Sequence, residues 1–219
     1  MAPDGGDGVI GSVRELATAE RASLLDLIEA LTPEQWAAPS LCEGWTVRDV
    51  VAHHFSYDML TPAQTARRVI AGLRYPGGPN ALGIEYLAEQ SNDELIETVR
   101  RHLDPRGLVT AFGCRVALTD SMHHQQDIRR PLGLPRTIPA ERIVPALNFS
   151  IWAPPIRGVV HGRGVRLIAD DLDWAFGRGP EVRGTSEAVL MALGGRGDAV
   201  RDLTGPGRDR LARNLGVRL

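Results

Sequence analysis

The chain has 219 residues, enough for one sizeable domain or a larger one with a small companion. Its 43% hydrophobic and 24% charged residues exclude wholesale disorder and collagen-like order. The net charge of -2, with all 25 basic residues arginine and no basic run longer than two, argues against a dedicated nucleic-acid binder. The absence of lysine excludes Schiff-base chemistry and a phosphate-binding P-loop lysine.

The first residues, MAPDGGDGVI, read as a loose tail spanning 1–11. They lack the apolar core of a secretory signal, and no uninterrupted apolar run approaches the ~20 residues that span a bilayer. With only Cys42 and Cys114, and a chain long enough not to need a staple, the expectation is a reduced, cytoplasmic protein without membrane association. Ser12 and Glu15 form a capping box ahead of an apolar stripe of Val13, Leu16, Ala17, Leu24, Leu27, Ile28 and Leu31, which predicts a long first helix. Glu20 is the one charge on that stripe.

Thr32-Pro33 starts a short helix that fails at Pro39. Thr46 and Asp49 open the next, TVRDVVAHHFSYDML, predicted to end near Leu60, and Thr61-Pro62 restarts the pattern until Gly77-Gly78-Pro79 breaks it. Ser91 and Glu94 cap another helix, ended by Asp104-Pro105. A proline-free stretch from Gly107 to Arg130 predicts a long central helix, and Ala140–Trp152 a further one containing Pro145. After Pro154-Pro155 the texture changes. GVRLIAD, DLDWAFGRGP and EVRG read as short strands, TSEAVLMALGG as a helix capped by Thr185, and GPGRDRLARNL as a final helix or turn. The predicted fold class is α+β, with a helical bundle over 12–154 and a small α+β domain over 155–219.

Four of six histidines fall in two adjacent pairs, His53-His54 and His123-His124, each on a predicted bundle helix. Asp120 and His124, four apart, share a helix face. Periodicity leaves open which of His53 and His54 turns toward a neighbouring helix. Either one, joined to Asp120 and His124, makes three ligands with a free coordination position, the arrangement of catalytic zinc. Asp127, three residues after His124, is placed to orient that imidazole. Cys42 reads as a small buried hydrophobe, since no base lies beside it in sequence, and Cys114 has no catalytic role. Trp45 and Trp174 read as packing residues.

The stretches LCEGWTVRDVVAHH at 41–54 and ALTDSMHHQQDIRRPLG at 117–133 resemble the two signatures of the mycothiol-dependent maleylpyruvate isomerase family, DinB-like metal-binding four-helix bundles. The run from GVRLIAD through LTGPG is similar to that family's small C-terminal domain. The resemblance implies that His53 is the first metal ligand, with Asp120 and His124 the others. Glutamate is more typical of the family at position 120, and the shorter Asp120 must draw its helix closer or bind through water.

The implied cofactors are a divalent metal, zinc first, and mycothiol as thiol co-substrate. The implied partner is a small anionic or electrophilic molecule, isomerised or carried through S-transfer. An anionic substrate calls for a guanidinium, and Arg196 in ALGGRGD is the candidate catalytic residue. Two other readings use the same scaffold: a metal-dependent hydrolase, and a non-catalytic binding or stress-response module.

Overall fold

The computed structural model describes residues 11–218. The predicted tail over 1–11 lies, Gly11 aside, outside the described residues. Helix α1 spans Val13–Glu29 and starts with the reciprocal Ser12–Glu15 capping box. The same device starts α2 (Pro33–Ala37), α3 (Val47–Ser56), α4 (Pro62–Gly72) and α6 (Asn92–Arg101), with Thr32, Thr46, Thr61 and Ser91 as caps. Helix α5 (Gly78–Tyr86) begins where the sequence predicts only a break, because Gly77 takes a left-handed conformation (φ 80°) and Pro79 suits a first turn.

The predicted helix from Gly107 to Arg130 is shorter at its start. A 3₁₀ turn occupies Gly107–Thr110, Phe112, Gly113 and Cys114 all have positive φ, and α7 runs from Arg115 to Arg129. Three left-handed residues in a row cannot belong to a right-handed helix. Helix α3 also stops before Leu60, with Tyr57 as its C-cap. Helix α8 spans Ala140–Trp152 and carries Pro145 within it.

The bundle is built by α1, α3, α6 and α7, with α8 packed on α7 and α1. Beyond a short helix α9 (Gly158–His161), strands β1 (Arg166–Ala169), β2 (Trp174–Gly177) and β3 (Glu181–Gly184) form a sheet in the order β2-β1-β3. β1 is antiparallel to β2 and parallel to β3. Helices α10 (Ser186–Leu193) and α11 (Arg208–Asn214) complete the C-terminal part.

Ala117 and Leu118 of α7, Ile143 and Leu147 of α8, Leu167 and Val182 of the sheet and most of α10 belong to one buried apolar cluster. A second cluster, with Leu24, Ile28, Val50, Val51, Phe55, Leu95 and Val99, fills the bundle between α1, α3 and α6. Buried charges are paired. Glu20 is held by Arg136 and Arg142, and Arg21 donates to both oxygens of Asp58 at 2.8 and 3.0 Å. No helix among the described residues is long and apolar enough to cross a membrane. Cys42 and Cys114 are free thiols.

Candidate functional site

The cap at Thr46 fixes the start of α3 and hence the rotation at which its seventh and eighth residues, His53 and His54, meet α7. Both are buried, as are His123 and His124 on α7. The ring of His53 packs edge-on to that of His124, centroids 5.0 Å apart, and lies 4.9 Å from the Trp45 ring and 5.8 Å from Tyr57. His53 Nδ1 is buried without a hydrogen-bond partner.

His54 is used differently. Its Nδ1 lies 2.8 Å from Asp120 Oδ2 and its Nε2 2.8 Å from Ser121 Oγ, so both ring nitrogens are satisfied. His123 points away, its Nδ1 2.9 Å from the Thr119 carbonyl oxygen and its Nε2 3.2 Å from that of Leu190 on α10.

His124 stands between two carboxylates, with Nε2 3.4 Å from Asp120 Oδ1 and Nδ1 3.0 Å from Asp127 Oδ2. Asp120 is the open edge of the group, its side chain 38% exposed. Asp127 is fully buried and accepts from Arg196 Nε at 3.0 Å and Nη2 at 2.6 Å, while the Cys42 thiol donates to Oδ2 at 3.3 Å. Arg196 Nη1 donates to the Gly194 carbonyl. Arg196, Cys42, Leu41 and Gly194 line a cavity of about 300 Å³ on this side. A larger cavity of about 550 Å³ lies between α7 and the N-terminal end of α10, where Arg130 is paired with Glu187 and Asp202.

These contacts divide the titrating groups. Burial, aided by the nearby His124, pushes His53 down to about 3, and burial likewise lowers His54 and takes His123 to about 4. For His124 burial acts the same way, but the charges and hydrogen bonds of Asp120 and Asp127 override it and hold its pKa well above 6.5. Burial opposes ionisation of Asp120 and Asp127 too. Both stay well below the ordinary carboxylate range, the first because of His124 and His54, the second because of His124 and Arg196.

The structure therefore sets both His53 and Asp120 against His124, although the donor atoms of the three do not all lie within 4.8 Å of one another. Two imidazoles and a carboxylate, with one imidazole nitrogen buried and unpartnered, fit a divalent metal by donor chemistry. As the side chains stand, Asp120 leans on His54 and His124. Among the described residues, the three donors within 4.8 Å of one another are those of Cys42, His124 and Asp127. Asp127 there is already saturated by Arg196. His124 Nε2 faces Asp120 Oδ1, so both atoms would be available to a metal while His54 keeps Asp120 Oδ2 and Asp127 keeps His124 Nδ1.

Sequence reasoning missed three features of this site. His54 holds Asp120, Cys42 sits on Asp127, and Tyr57 shares the face of His53. The last was readable, since residues 53 and 57 are four apart; the first two join residues 66 and 85 positions apart, a separation no local pattern reports.

The chain matches the family model described as the mycothiol maleylpyruvate isomerase N-terminal domain over residues 17–127, a span that includes His53, Asp120, His124 and Asp127. Among solved structures it is similar to a histidine-to-alanine mutant of a mycothiol-dependent maleylpyruvate isomerase, with TM-score 0.61, and to a mycothiol-dependent maleylpyruvate isomerase, with TM-score 0.54. Each is 16% identical and covered over 91% of its own length, against 89% of this chain, so these likenesses are of fold. No curated protein matches the chain in sequence.

Proposed function

The chain belongs to the mycothiol maleylpyruvate isomerase family, and from that premise we propose that it is a metal- and mycothiol-dependent isomerase or S-transferase acting on a small anionic or electrophilic substrate. The observation that carries this reading is the packing of His53 and Asp120 against His124, with a buried His53 nitrogen that no described residue satisfies. These three residues would hold the metal, zinc by preference for its nitrogen and oxygen donors. Bound there, such a metal would supply the acidity that leaves a thiol as thiolate at neutral pH.

The chain's own residues do the rest. Asp127 accepts a hydrogen bond from His124 Nδ1–H, which keeps the proton on Nδ1 and turns Nε2 to the site. His54 holds Asp120 at the rim. Arg196 steadies Asp127 and lines the adjoining cavity. Of its five N–H groups, three are used on Asp127 and Gly194, which leaves about two for an anionic group entering the cavity. Trp45 packs over His53 and limits water on that side. Thiolate addition to an activated double bond, rotation and departure gives isomerisation; displacement of a leaving group gives S-transfer.

Metal analysis of the protein purified without chelator, followed by calorimetric titration with mycothiol, tests this reading. One equivalent of metal and saturable thiol binding are expected. Metal without thiol affinity points instead to a hydrolase, and protein without metal to a binding module.

A further inference from the structure

Arg48, Arg129 and Arg208 bond only to backbone carbonyls, and five other buried or half-buried arginines meet a carboxylate: Arg21 meets Asp58, Arg130 meets Glu187, Arg136 and Arg142 meet Glu20, and Arg196 meets Asp127. Arg68 does not. It is half-buried on α4, and its only hydrogen bonds run from Nη1 to the Ser56 carbonyl at 3.3 Å and to Ser56 Oγ at 2.8 Å. Its Nε and Nη2 have no partner among the described residues.

The guanidinium lies over the Tyr57 ring, 5.1 Å from the centroid, and that ring is 5.8 Å from His53. The Tyr57 hydroxyl donates to Asn80 Oδ1 at 2.8 Å, which fixes the ring. The close approach of α5 is allowed by Gly83. A Cβ there would fall 2.4 Å from Ser56 Oγ and 3.0 Å from Arg68 Nη1. The guanidinium is thus seated between Ser56, Tyr57 and Gly83, and among the described residues it meets no acid.

We propose that Arg68, stacked on Tyr57, binds a carboxylate of the substrate on the α4 side of the site. This rests on the reading that the site handles an anionic substrate at a bound metal. A planar guanidinium with two free donors suits a carboxylate in bidentate geometry, and a half-buried charge without a counter-ion gains most from acquiring one. The Tyr57 ring links the two groups, 5.1 Å from the Arg68 guanidinium and 5.8 Å from the His53 ring, which puts the guanidinium on the His53 side of the site. Arg196, on the far side of His124, already serves Asp127. Arg68 is then the second pole, and a substrate with two carboxylates is favoured over one with a single charge.

The test uses the metal-loaded full chain and maleate as probe, titrated calorimetrically in the wild type, Arg68→Gln, Arg68→Lys and Ser56→Ala. Arg68→Gln is expected to weaken maleate binding about 10- to 100-fold, as the loss of a charge-assisted hydrogen-bonding group implies, with metal content and mycothiol affinity retained. Arg68→Lys should recover part of the loss. Ser56→Ala, which removes the tie but keeps the guanidinium, should stay close to wild type. Equal maleate affinity in wild type and Arg68→Gln overturns the proposal, as does an equal loss in Ser56→Ala, which would mark a structural role. Wild type that binds mycothiol but not maleate overturns this inference and leaves the functional reading standing. Wild type that takes up neither metal nor mycothiol overturns both.

Discussion

His124 is the residue on which the site turns, because its two nitrogens face different partners. With Nε2 toward Asp120 and Nδ1 toward Asp127, the metal-free imidazole is held as a cation, well above its ordinary pKa. A metal arriving at Nε2 must displace that proton, so metal affinity should rise with pH through and above neutrality, by about tenfold per unit while one proton is released. Competition titrations at several pH values check this, and an affinity independent of pH would place the metal elsewhere. Elemental analysis of variants separates the four histidines. His53→Ala and His124→Ala should lose the metal, whereas His123→Ala should keep it, since both His123 nitrogens are spent on backbone carbonyls. His54→Asn and Asp127→Asn act through the ligands they orient, and each should lower metal affinity about 10- to 100-fold. From the sequence, Asp120 and His124 were a readable pair because a four-residue spacing is a property of one helix. The division of labour between His53 and His54 was not readable, because the two differ only in which neighbour each side chain meets.

At the scale of elements, the site depends on where α3 and α7 begin. Thr46 caps α3 in both directions, its hydroxyl accepting from the Asp49 amide while the Asp49 carboxylate accepts from the Thr46 amide. Thr46→Ala should cost about 1 kcal/mol, measured by denaturant unfolding, and should weaken metal binding as the end of α3 loosens. Five capping boxes stand in the sequence as Ser or Thr followed three residues later by Glu, Gln or Asp, which is why these helix starts were legible. The start of α7 was not, since the left-handed turn at 112–114 includes Phe112 and Cys114, residues with no preference for it. Helix α9 is set by a close approach as well. A Cβ on Gly158 would lie 2.3 Å from the Ser150 carbonyl oxygen, so Gly158→Ala should destabilise the protein by about 1–3 kcal/mol as α8 and α9 are forced apart.

For the whole molecule, the buried groups set a pH window of stability. His53 and His123 are neutral when folded, with pKa values lowered to about 3 and about 4 from 6.5, so below pH 6.5 the unfolded chain binds more protons than the native one. Stability of the metal-free protein should therefore fall as the pH drops from 6.5 toward 4, and fall further as Asp120 and Asp127 begin to protonate. His124 has the opposite sign. Its contribution is complete below pH 6.5 and is lost as pH rises through its elevated folded value. Thermal melts between pH 4 and 9 should peak near neutrality, and a melting temperature unchanged from pH 7 to 5 would contradict the neutral state of the buried histidines.

The helical bundle, the strand-bearing C-terminal part and the histidine-bearing helices were already determined by the amino-acid order, because capping, periodicity and breaker residues act within a few positions of one another. Long-range packing decided the rest. It set Asp120 against His54, Asp127 against Arg196 and Cys42, and Arg68 over Tyr57. Such pairings follow from how whole helices rotate and approach, and that depends on the buried volume of many side chains together, a quantity no short stretch of sequence contains.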